Sequence, residues 1–390
     1  MTPIRILQIC HGYDPPFLDV GNQFTRIFRG DGYEVTTLYL SGEPSEAVRQ
    51  ATVADRVIFL GLPPESLKGL KLGVIVALKR LLQTEKYELV ICHRYKAIYL
   101  AGLCRLFAGD FIWVGVVHDF GVFAGAMRRA FLRLFGRGLN LLGVSRAVCA
   151  DLAASCPEMR ARIFPQPNSV DVAVLQAGQL ERAEARRRLA LDPQACIFGT
   201  AGRLHPVKDQ ETLLRAFAAV AGRLPGARVA IMGAGRLDGR LRELAETLGI
   251  ADRVDFLGQV PGGPKYFKAF DVFVLPSVRE PFGMVLIEAM AAGIPVISSR
   301  SGGAGDVVGD TGLLFDPGDA AGLGDCLLQA FAWPPAEVAR LTAAADRRLR
   351  ENFSQEAFTR NFFAQPFMTD AARTWPGRPT PPGLPADPTP

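Results

Sequence analysis

Residues 271–290 read DVFVLPSVREPFGMVLIEAM, and the pattern of this stretch changes half-way along. The first residues are apolar and β-branched or aromatic, as in a buried strand, whereas the residues from Pro281 onward are typical of an apolar helix. Glu280 precedes that helix, and Glu288 lies nearly two turns inside it. An offset of eight residues turns a helix by about 800°, so that both carboxylates can face one cleft. The alternative is a helix-terminal charge at Glu280 and a salt bridge at Glu288.

The same succession of strand and helix recurs along the chain and determines the fold class. A parallel sheet with helices on both faces is what such alternation predicts. We therefore expect an α/β protein with two doubly wound, Rossmann-like domains. The runs that read as strands in the first half are IRILQI, YEVTTLYL, DRVIFLG, YELVICH, DFIWVGVVH and LNLLGVS, and those in the second half are ACIFGTAG, ARVAIMGAG, RVDFLGQV, AFDVFVLPS, GIPVISSR and GLLFDPG.

Interruptions of this pattern predict the domain boundaries. Prolines and an Asn-Ser pair within residues 165–174 indicate a change of domain, which gives an N-terminal domain at 1–170 and a C-terminal domain at 171–350. Residues 351–366 are expected to form a C-terminal helix that returns to the N-terminal domain. Proline dominates the end of the chain, and we expect residues 367–390 to be a disordered tail.

The composition excludes several classes of protein. Of the 390 residues 49% are hydrophobic, yet no apolar run approaches the roughly 20 residues that span a membrane. The N-terminus enters a strand-like alternation without the pattern of a secretory leader, so we expect a cytoplasmic protein. The seven cysteines show no Cys-x-x-Cys spacing, which predicts neither a disulfide framework nor a zinc cluster. The net charge of +5 comes from a basic surplus in the first half.

Polar residues that follow the predicted strands are the first candidates for function. Ligands of open parallel sheets bind beyond the carboxyl ends of the strands, where main-chain dipoles and helix N-termini converge. All four histidines come at or soon after the end of a predicted strand: His11, His93, His118 and His205. The alternative is that loops simply hold polar residues.

The stretch GTAGRLHPVKDQETLLRAF, residues 199–217, places two cations at such a position. A strand ends in small residues, a helix begins around Asp209, and Arg203 and Lys208 lie in the loop between them. Fixed cations beside a helix N-terminus suit a diphosphate leaving group, because its developing negative charge needs preorganised partners. The alternative is a pair of solvated surface charges.

The combination of these motifs resembles one known family. The second half, with AGRLHPVKDQETLLRAF, LGQVPG, DVFVLPSVREPFGMVLIEAMAAGIPVISSRSGGAGDVV and TGLLFDPGD, resembles the C-terminal domain of the retaining glycosyltransferase family 4, of the GT-B fold. The two glutamates within EPFGMVLIE are the specific part. The first half resembles the family more weakly, through GYEV, VVHDF, VSRAV and PNSVD. The resemblance implies an N-terminal acceptor-binding domain and a C-terminal nucleotide-sugar-binding domain that face each other across a cleft.

The resemblance also implies roles for matching residues. Arg203 and Lys208 resemble the residues that hold the donor's diphosphate. Glu288 resembles the carboxylate that accepts hydrogen bonds from the ribose, and Glu280 the one that contacts the hydroxyls of the transferred sugar. His118 resembles the histidine near the sugar and the reaction centre, where the alternative is a capping or core histidine.

Further donor contacts are implied around these residues. The main-chain amides expected beside Glu280 are those of Phe282, Gly283, Met284 and Val285. The loop at Val260 is expected to flank the base. The family usually has paired glycines in the first loop, but here Asn22 follows Gly21, and Asn tolerates left-handed conformations better than most residues. We expect Gly21 and Asn22 to approach the phosphates.

The reaction that the resemblance implies is transfer of a sugar from a nucleotide diphosphate to an acceptor hydroxyl, with retention at the anomeric carbon. The donor is expected to be a UDP-sugar, with GDP and ADP as the alternative nucleotides, and the pathway to be the synthesis of a cell-envelope glycan such as lipopolysaccharide or exopolysaccharide. The sequence contains no Asp-x-Asp motif, so we expect neither a catalytic metal nor another cofactor. We expect no nucleic-acid partner.

Two basic, amphipathic segments bear on the acceptor. Residues 124–138 intersperse four arginines among Met127, Phe131, Leu134 and Phe135, and residues 65–83 intersperse lysines and an arginine along an apolar face. Such helices can lie on an anionic membrane surface. Packing of each helix on its own sheet is the alternative. With the basic surplus, the two segments predict peripheral membrane attachment and a glycan or lipid-linked acceptor.

Three other functions remain open from the sequence. The strand ARVAIM is followed by Gly233-x-Gly235-x-x-x-Gly239 and a helix, which approximates a nicotinamide-binding loop but lacks the G-x-G-x-x-G spacing. Another GT-B enzyme, such as a sugar-nucleotide epimerase or a phosphorylase, would share the donor motifs. A noncatalytic partner that keeps the fold is the third alternative.

Overall fold

The chain divides into two compact units, each with its own parallel sheet. Unit 1 consists of residues 1–169 together with residues 355–390, and unit 2 consists of residues 170–354. A computed structural model describes the following residues: 3–14, 17–30, 32–62 and 72–375.

Unit 1 is built on a sheet whose buried strands are rich in Val, Ile and Leu, as expected for a parallel sheet covered on both faces. Among the described residues this sheet has seven strands, in the spatial order β3-β2-β1-β4-β5-β6-β7. The strands are β1 (Ile4–Cys10), β2 (Tyr33–Ser41), β3 (Arg56–Leu62), β4 (Leu89–His93), β5 (Ile112–Val117), β6 (Leu139–Gly143) and β7 (Ile163–Pro165).

Helices connect the strands of unit 1. Ser145 caps one of them, because its side-chain oxygen accepts a hydrogen bond at 3.1 Å from the amide of Val148, a first-turn donor without a partner inside the helix. The helices are α1 (Phe17–Arg26), α2 (Glu46–Ala51), α3 (Leu72–Thr84), α4 (Arg94–Ala108), α5 (Ala126–Phe135) and α6 (Arg146–Ser155).

Unit 2 repeats the scheme with a six-stranded parallel sheet in the order β10-β9-β8-β11-β12-β13. The strands are β8 (Cys196–Ala201), β9 (Ala227–Met232), β10 (Val254–Gly258), β11 (Val272–Leu275), β12 (Val296–Ser299) and β13 (Leu313–Phe315). The helices are α7 (Val172–Ala177), α8 (Arg182–Arg188), α9 (Gln210–Val220), α10 (Asp238–Thr247), α11 (Met284–Ala291), α12 (Ala304–Val308), α13 (Ala320–Phe331) and α14 (Pro335–Asn352). The predicted fold class, two doubly wound α/β domains, is confirmed.

The C-terminal segment returns to unit 1 as two helices, α15 (Gln355–Phe363) and α16 (Pro366–Thr374). The ring of Phe24 in α1 contacts Phe358 and Phe362 of α15, at centroid distances of 4.9 and 6.1 Å. The prediction of a disordered tail from residue 367 was wrong for residues 367–374. A proline at the first position favours a helix start, and Met368 of this helix is buried. Residues 376–390 of the predicted tail lie outside the described residues.

Each sheet has one switch point, where neighbouring strands continue into connections that run in opposite directions. The switch point lies between β1 and β4 in unit 1 and between β8 and β11 in unit 2. Loops that leave such a pair of strands diverge and open a crevice, which is the usual ligand site of an open α/β sheet. The residues that follow these four strands are therefore the ones to compare with the sequence predictions.

Candidate active site

The loop after β8 holds both predicted diphosphate cations. Arg203 is exposed, and Lys208 ends a short 3-10 turn. The carbonyl of Val207 in this turn accepts a hydrogen bond at 3.0 Å from the amide of Val278, which follows β11. The two loops of the switch point in unit 2 are thus held together by their main chains.

Lys208 and Glu280 form an ion pair at this switch point. Lys208 Nζ donates to Glu280 Oε2 at 2.5 Å, and Ser277 Oγ donates to the same oxygen at 3.3 Å. The lysine and glutamate side chains are only 20% and 9% exposed. The sequence predicted separate contacts, with the diphosphate for Lys208 and with the sugar for Glu280. The structure shows in addition that the two side chains bond to each other, so the cation and the carboxylate occupy one small region.

Helix α11 begins directly beside this pair. Gly283 precedes the helix with a φ of +105°, in the left-handed region that favours glycine, and its carbonyl accepts a hydrogen bond at 2.9 Å from Leu286 N. The amides of Met284 and Val285 are first-turn donors without a carbonyl partner inside the helix. Two main-chain donors therefore begin α11 next to Glu280, as the sequence predicted for the local structure.

Three other predicted residues of unit 2 have different surroundings. The side chain of Phe282 is buried and packs against Phe353 with ring centroids 5.8 Å apart, and contact of its main chain with a donor stays a prediction. Glu288 lies in the second turn of α11 and is partly exposed. Val260 follows β10 at the edge of the sheet, two strands from β8, and its contact with a base stays a prediction.

Buried serines that support Glu280 were missed by the sequence analysis. Ser299 Oγ donates to the carbonyl of Ser277 at 2.5 Å, and the amide of Gly303 donates to the carbonyl of Glu280 at 2.9 Å. These bonds join the end of β12 to the loop that carries Glu280 and fix the main chain of that loop. The signal in the sequence was the run SSRSGG at 298–303, where small polar residues end a strand.

The glycines Gly233 and Gly235, which suggested a nicotinamide-binding loop, have a packing role. A Cβ atom at Gly233 would lie 1.9 Å from the carbonyl oxygen of Gly202, and one at Gly235 would lie 2.4 Å from that of Leu204. Glycine is required because the main chain after β9 runs directly against the main chain after β8. These contacts explain the glycines without a dinucleotide.

Three of the four histidines lie at the carboxyl ends of β1, β4 and β5 in unit 1. His93 Nδ1 and His118 Nε2 are 3.3 Å apart, and their rings are nearly parallel, at an angle of 13°, with centroids 5.6 Å apart. His93 Nε2 lies 3.3 Å from Gln8 Oε1. His11 Nε2 lies 3.3 Å from Lys96 Nζ, which can only donate. The sheet thus brings His118 into contact with His93 and places His11 at the same edge.

Burial favours the neutral form of all three histidines. Burial, followed by the positive charge of Arg94, lowers the pKa of His118 from its ordinary value of 6.5 to about 4. Burial and then His118 hold the pKa of His93 well below its ordinary value. Burial, Lys96 and Arg94 likewise lower the pKa of His11. At neutral pH each of these rings therefore has one N–H donor and one acceptor nitrogen.

Arg94 is a further residue of this region that the sequence analysis missed. It begins α4 with a φ of +71°, which is uncommon for a residue other than glycine, and its guanidinium carbon lies 3.9 Å from the centroid of the Phe17 ring. Together with His11 and His93 it lines a small cavity at the switch point of unit 1. Its signal was the run HRYK at 93–96, which directly follows a predicted strand.

The expected glycine-bearing loop at Gly21 and Asn22 was wrong, because both residues lie inside helix α1 and are buried. Asn22 Nδ2 donates to the carbonyl of Ala51 at 2.9 Å, and its Oδ1 accepts from the amide of Val53 at 2.8 Å. Gly21 packs against β1, since a Cβ there would lie 3.3 Å from Gln8 Nε2. The structure gives the Asn22 side chain a role in joining α1 to the segment before β3. Phosphate contact by either residue stays a prediction.

Comparison with known proteins bears out the family resemblance. The model "Glycosyltransferase Family 4" matches residues 22–174, and the model "Glycosyl transferases group 1" matches residues 181–348. The chain belongs to glycosyltransferase family 4. Between them the two matches cover parts of both units.

Curated relatives of this family 4 chain act on different acceptors, by their names. A D-inositol 3-phosphate glycosyltransferase of Rhodococcus jostii is 39% identical over 208 residues, which are 49% of this chain and 45% of that protein. A GDP-mannose-dependent alpha-(1-6)-phosphatidylinositol monomannoside mannosyltransferase of Mycobacterium tuberculosis is 32% identical over 56% of this chain and 58% of that protein. The chain thus spans about half the length of the curated relatives that it matches.

Solved structures share the fold of the family 4 chain along nearly its whole length. A glycosyltransferase from Rickettsia africae covers 93% of this chain and 97% of its own, with a TM-score of 0.79 and 15% identity. Anabaena HepE, solved with UDP and glucose, covers 95% of this chain and 100% of its own, with a TM-score of 0.75 and 18% identity. These similarities show the fold.

Proposed function

We propose that this family 4 chain is a retaining glycosyltransferase, which moves a sugar from a nucleotide diphosphate to an acceptor hydroxyl. The observation that carries the proposal is the Lys208–Glu280 pair at the switch point of unit 2, beside the first turn of α11. A diphosphate needs a fixed cation and amide donors, whereas a sugar needs a carboxylate that accepts hydrogen bonds from its hydroxyls. The pair supplies both kinds of group in one place.

In the proposed reaction the bond between the anomeric carbon and the diphosphate breaks, and the acceptor oxygen bonds to the same face of that carbon. Lys208 and Arg203 stabilise the negative charge that develops on the departing diphosphate. Glu280 accepts hydrogen bonds from the sugar hydroxyls, and Glu288 accepts them from the ribose. His118 contacts a hydroxyl of the transferred sugar or of the acceptor.

We propose a UDP-sugar as the donor. Support comes from HepE, whose solved complexes contain UDP and UDP-glucose, whereas the name of the mycobacterial relative specifies GDP-mannose. We propose that neither a metal nor another cofactor takes part. The described residues contain no group of three or more His, Cys, Asp or Glu side chains that could hold a metal ion. Independence from metal is tested by assay with and without EDTA.

A thermal-shift screen tests the donor site. The purified protein is heated with UDP, GDP, ADP, NAD and the sugar conjugates of the nucleotides, and one nucleoside diphosphate is expected to raise the melting temperature. Glu288→Ala removes an acceptor for the ribose hydroxyls and is expected to weaken binding by about tenfold or more. Glu246→Ala, at an exposed glutamate of α10, is the matched control. Stabilisation by NAD alone, or an equal loss in both variants, would contradict the proposal.

For the acceptor we propose a precursor of a cell-envelope glycan, such as lipopolysaccharide or exopolysaccharide, that is presented at an anionic membrane surface. Support comes from α5, where Met127 and Leu134 are 88% and 75% exposed and lie on one face. Two arginines of α5 flank this apolar face. Arg128 packs over the ring of Tyr95, and Arg133 forms an ion pair with Glu158.

The other predicted membrane segment, residues 65–83, is described only from residue 72 onward, so Lys68 and Lys71 lie outside the described residues. In the described part, Lys79 packs over the ring of Phe107 in α4, and the side chains of Val76 and Phe107 are largely exposed. No helix among the described residues is long and apolar enough to cross a membrane. The proposal is therefore attachment to the surface of the membrane.

Co-sedimentation with liposomes tests this attachment. Vesicles with anionic lipid are expected to bind the protein at low salt, and Met127→Ser combined with Leu134→Ser is expected to release it, because the apolar face of α5 is lost. Val174→Ser, at an exposed apolar residue of unit 2, is the control that should keep binding. Equal binding to neutral vesicles, or no effect of the double substitution, would count against the proposal.

A further inference from the structure

A chain of buried polar contacts runs from the interior of unit 1 to His118. Gln8 lies in the middle of β1, and its Oε1 is 3.3 Å from His93 Nε2. His93 ends β4, and its Nδ1 is 3.3 Å from His118 Nε2. Gln8 and His93 are both buried, whereas His118 is partly exposed. His118 is thus the residue through which this chain can meet a ligand.

The direction of these hydrogen bonds follows from the threonines beside Gln8. Gln8 Nε2 lies 3.3 Å from Thr25 Oγ1 and 3.4 Å from Thr37 Oγ1. A hydroxyl has one hydrogen, and Thr25 donates it to the carbonyl of Gly21 at 3.3 Å. Thr25 Oγ1 therefore accepts from Gln8, which places the amide nitrogen of Gln8 toward the threonines and its oxygen toward His93.

This orientation determines the tautomer of each histidine. Gln8 Oε1 can only accept, so His93 holds its proton on Nε2 and donates it. Neutral His93 then has a lone pair on Nδ1, which accepts a hydrogen bond from the Nε2–H of His118. Neutral His118 consequently has its own lone pair on Nδ1. Because Gln8 Oε1 accepts a hydrogen bond at one end of this hydrogen-bonded series, the Nδ1 atom of His118 is an acceptor at the other end.

We propose that Gln8 and His93 are positioning residues that hold His118 as the Nε2–H tautomer, so that its Nδ1 accepts a hydrogen bond from a hydroxyl of the bound sugar or acceptor. The identity of that ligand rests on the function proposed above, but the tautomer does not. A phosphate oxygen has no hydrogen to give to this nitrogen at neutral pH. The relay therefore assigns His118 to a hydroxyl rather than to the diphosphate.

The surroundings keep the accepting nitrogen free of a proton. His118 faces His93 from β4 and the guanidinium of Arg94 at the start of α4. Both burial and this cation disfavour an imidazolium and lower the pKa of His118 to about 4. At neutral pH the lone pair on Nδ1 consequently remains available.

Nitrogen-15 NMR of the histidine rings tests the tautomer directly, without substrate. The chain has four histidines, so a histidine-labelled sample gives four ring systems, and single substitutions assign them. At pH 7 the relay predicts a protonated Nε2 and an unprotonated Nδ1 for both His93 and His118. A protonated Nδ1 in His118, or an imidazolium, would overturn the proposal.

Variants test whether the tautomer matters for turnover. His93→Phe keeps a ring but removes the acceptor, so His118 is expected to become a mixture of tautomers and kcat to fall by about tenfold, with a smaller change in the KM for the donor. Gln8→Glu is expected to reverse the relay, because a buried carboxylate beside His93 Nε2 favours the His93 imidazolium, whose Nδ1–H would donate to His118 Nε2. Gln8→Met, of similar size but without an acceptor, is expected to resemble His93→Phe.

The control removes a buried hydrogen bond elsewhere in unit 1. Tyr39 donates to or accepts from Thr52 at 2.9 Å, and Tyr39→Phe should change neither the His118 tautomer nor kcat. Thermal unfolding shows whether each variant is folded before its activity is compared. An unchanged kcat or an unchanged His118 tautomer in a folded His93→Phe or Gln8→Met would overturn the positioning role. Absence of any glycosyl transfer by the unmodified protein would contradict the proposed function alone, because the NMR result stands without it.

Discussion

The switch points of the two units have the same topology but opposite chemistry. In unit 2 a main-chain hydrogen bond joins the loops after β8 and β11, and a charged lysine and glutamate bond to each other between them. In unit 1 the ends of β4 and β5 hold neutral histidines, His93 and His118, that are linked by hydrogen bonds to a glutamine inside the sheet. The first arrangement suits a ligand that carries charge, and the second suits a ligand that carries hydroxyls.

This difference shows that the topology of a doubly wound sheet determines where a ligand site lies but not which kind of ligand it binds. The kind of ligand depends on the side chains that follow the strands and on the buried groups that hydrogen-bond to them. The hydroxyl of Ser299 and the amide of Gly303 fix the main chain of the loop that carries Glu280, whereas the oriented side-chain amide of Gln8 in β1 fixes the proton positions of His93 and His118. Substitutions in the two sites should therefore change stability, activity and pH dependence in different ways.

The largest effect is expected from breaking the charge pair of unit 2. Lys208→Met leaves the Glu280 carboxylate buried without its cation, which should lower the free energy of unfolding by about 3 kcal/mol. The same change removes a cation from the proposed diphosphate site and should lower kcat by about 100-fold. Urea unfolding and an assay of released nucleoside diphosphate measure the two effects.

The double variant Lys208→Met with Glu280→Gln separates the effect on stability from the effect on kcat. With the charge gone from both partners, most of the lost stability should return, while activity should remain low. A Lys208→Met protein that unfolds like the parent would mean that Glu280 is well solvated and that the pair contributes little to unit 2.

A smaller effect is expected from Asn22 in unit 1. Asn22→Ala removes two hydrogen bonds to the segment before β3, which should lower the free energy of unfolding by about 2 kcal/mol. If the side chain serves only this junction, the affinity for the nucleotide diphosphate, measured by calorimetry, stays the same. A weaker affinity with unchanged stability would instead favour the phosphate contact that the sequence predicted.

The most gradual effect is that of pH on unit 1. His118 has a pKa of about 4 in the folded protein, against an ordinary value of 6.5 that the unfolded chain should approach. Between these values the unfolded state binds more protons, so the free energy of unfolding should fall as the pH is lowered from about 6.5 to about 4. Buried His93 acts in the same direction.

Hydrogen exchange of the amides in β4 and β5 measures this loss of stability in unit 1 itself. His118→Phe should make the pH dependence shallower, because one of the groups that binds a proton on unfolding is gone. An equally steep dependence in that variant would mean that His118 is not the group responsible.

Local patterns were sufficient to predict the sheets but not the contacts at their ends. Runs of apolar residues indicated every strand of the two sheets except β7, because burial on both faces leaves a clear apolar signal in all but this edge strand of three residues. The Lys208–Glu280 bond joins residues 72 positions apart, and it requires that β8 and β11 be neighbours, which composition and spacing do not specify. The Gln8–His93–His118 chain depends in the same way on the order β1-β4-β5.

The errors of the sequence analysis have a similar origin. Gly21 suggested a loop, but a single glycine lowers helix stability by only about 1 kcal/mol, which packing of α1 against β1 offsets. The abundance of proline near the C-terminus suggested a tail from residue 367. However, Pro366 lies at the start of α16, where proline is well tolerated, and Phe367 packs against Phe164 at a centroid distance of 5.7 Å.

The return of the chain to unit 1 has a consequence for biosynthesis. Unit 2 is a continuous segment whose two ends lie side by side, since Val170 and Ser354 form a bridge. Unit 1 lacks Phe358 and Phe362 until the ribosome has made residues beyond 354, and until then the ring of Phe24 has no cover from α15. During synthesis the unit that begins second is therefore the first to be complete, and the nascent N-terminal half exposes apolar surface that a chaperone can bind.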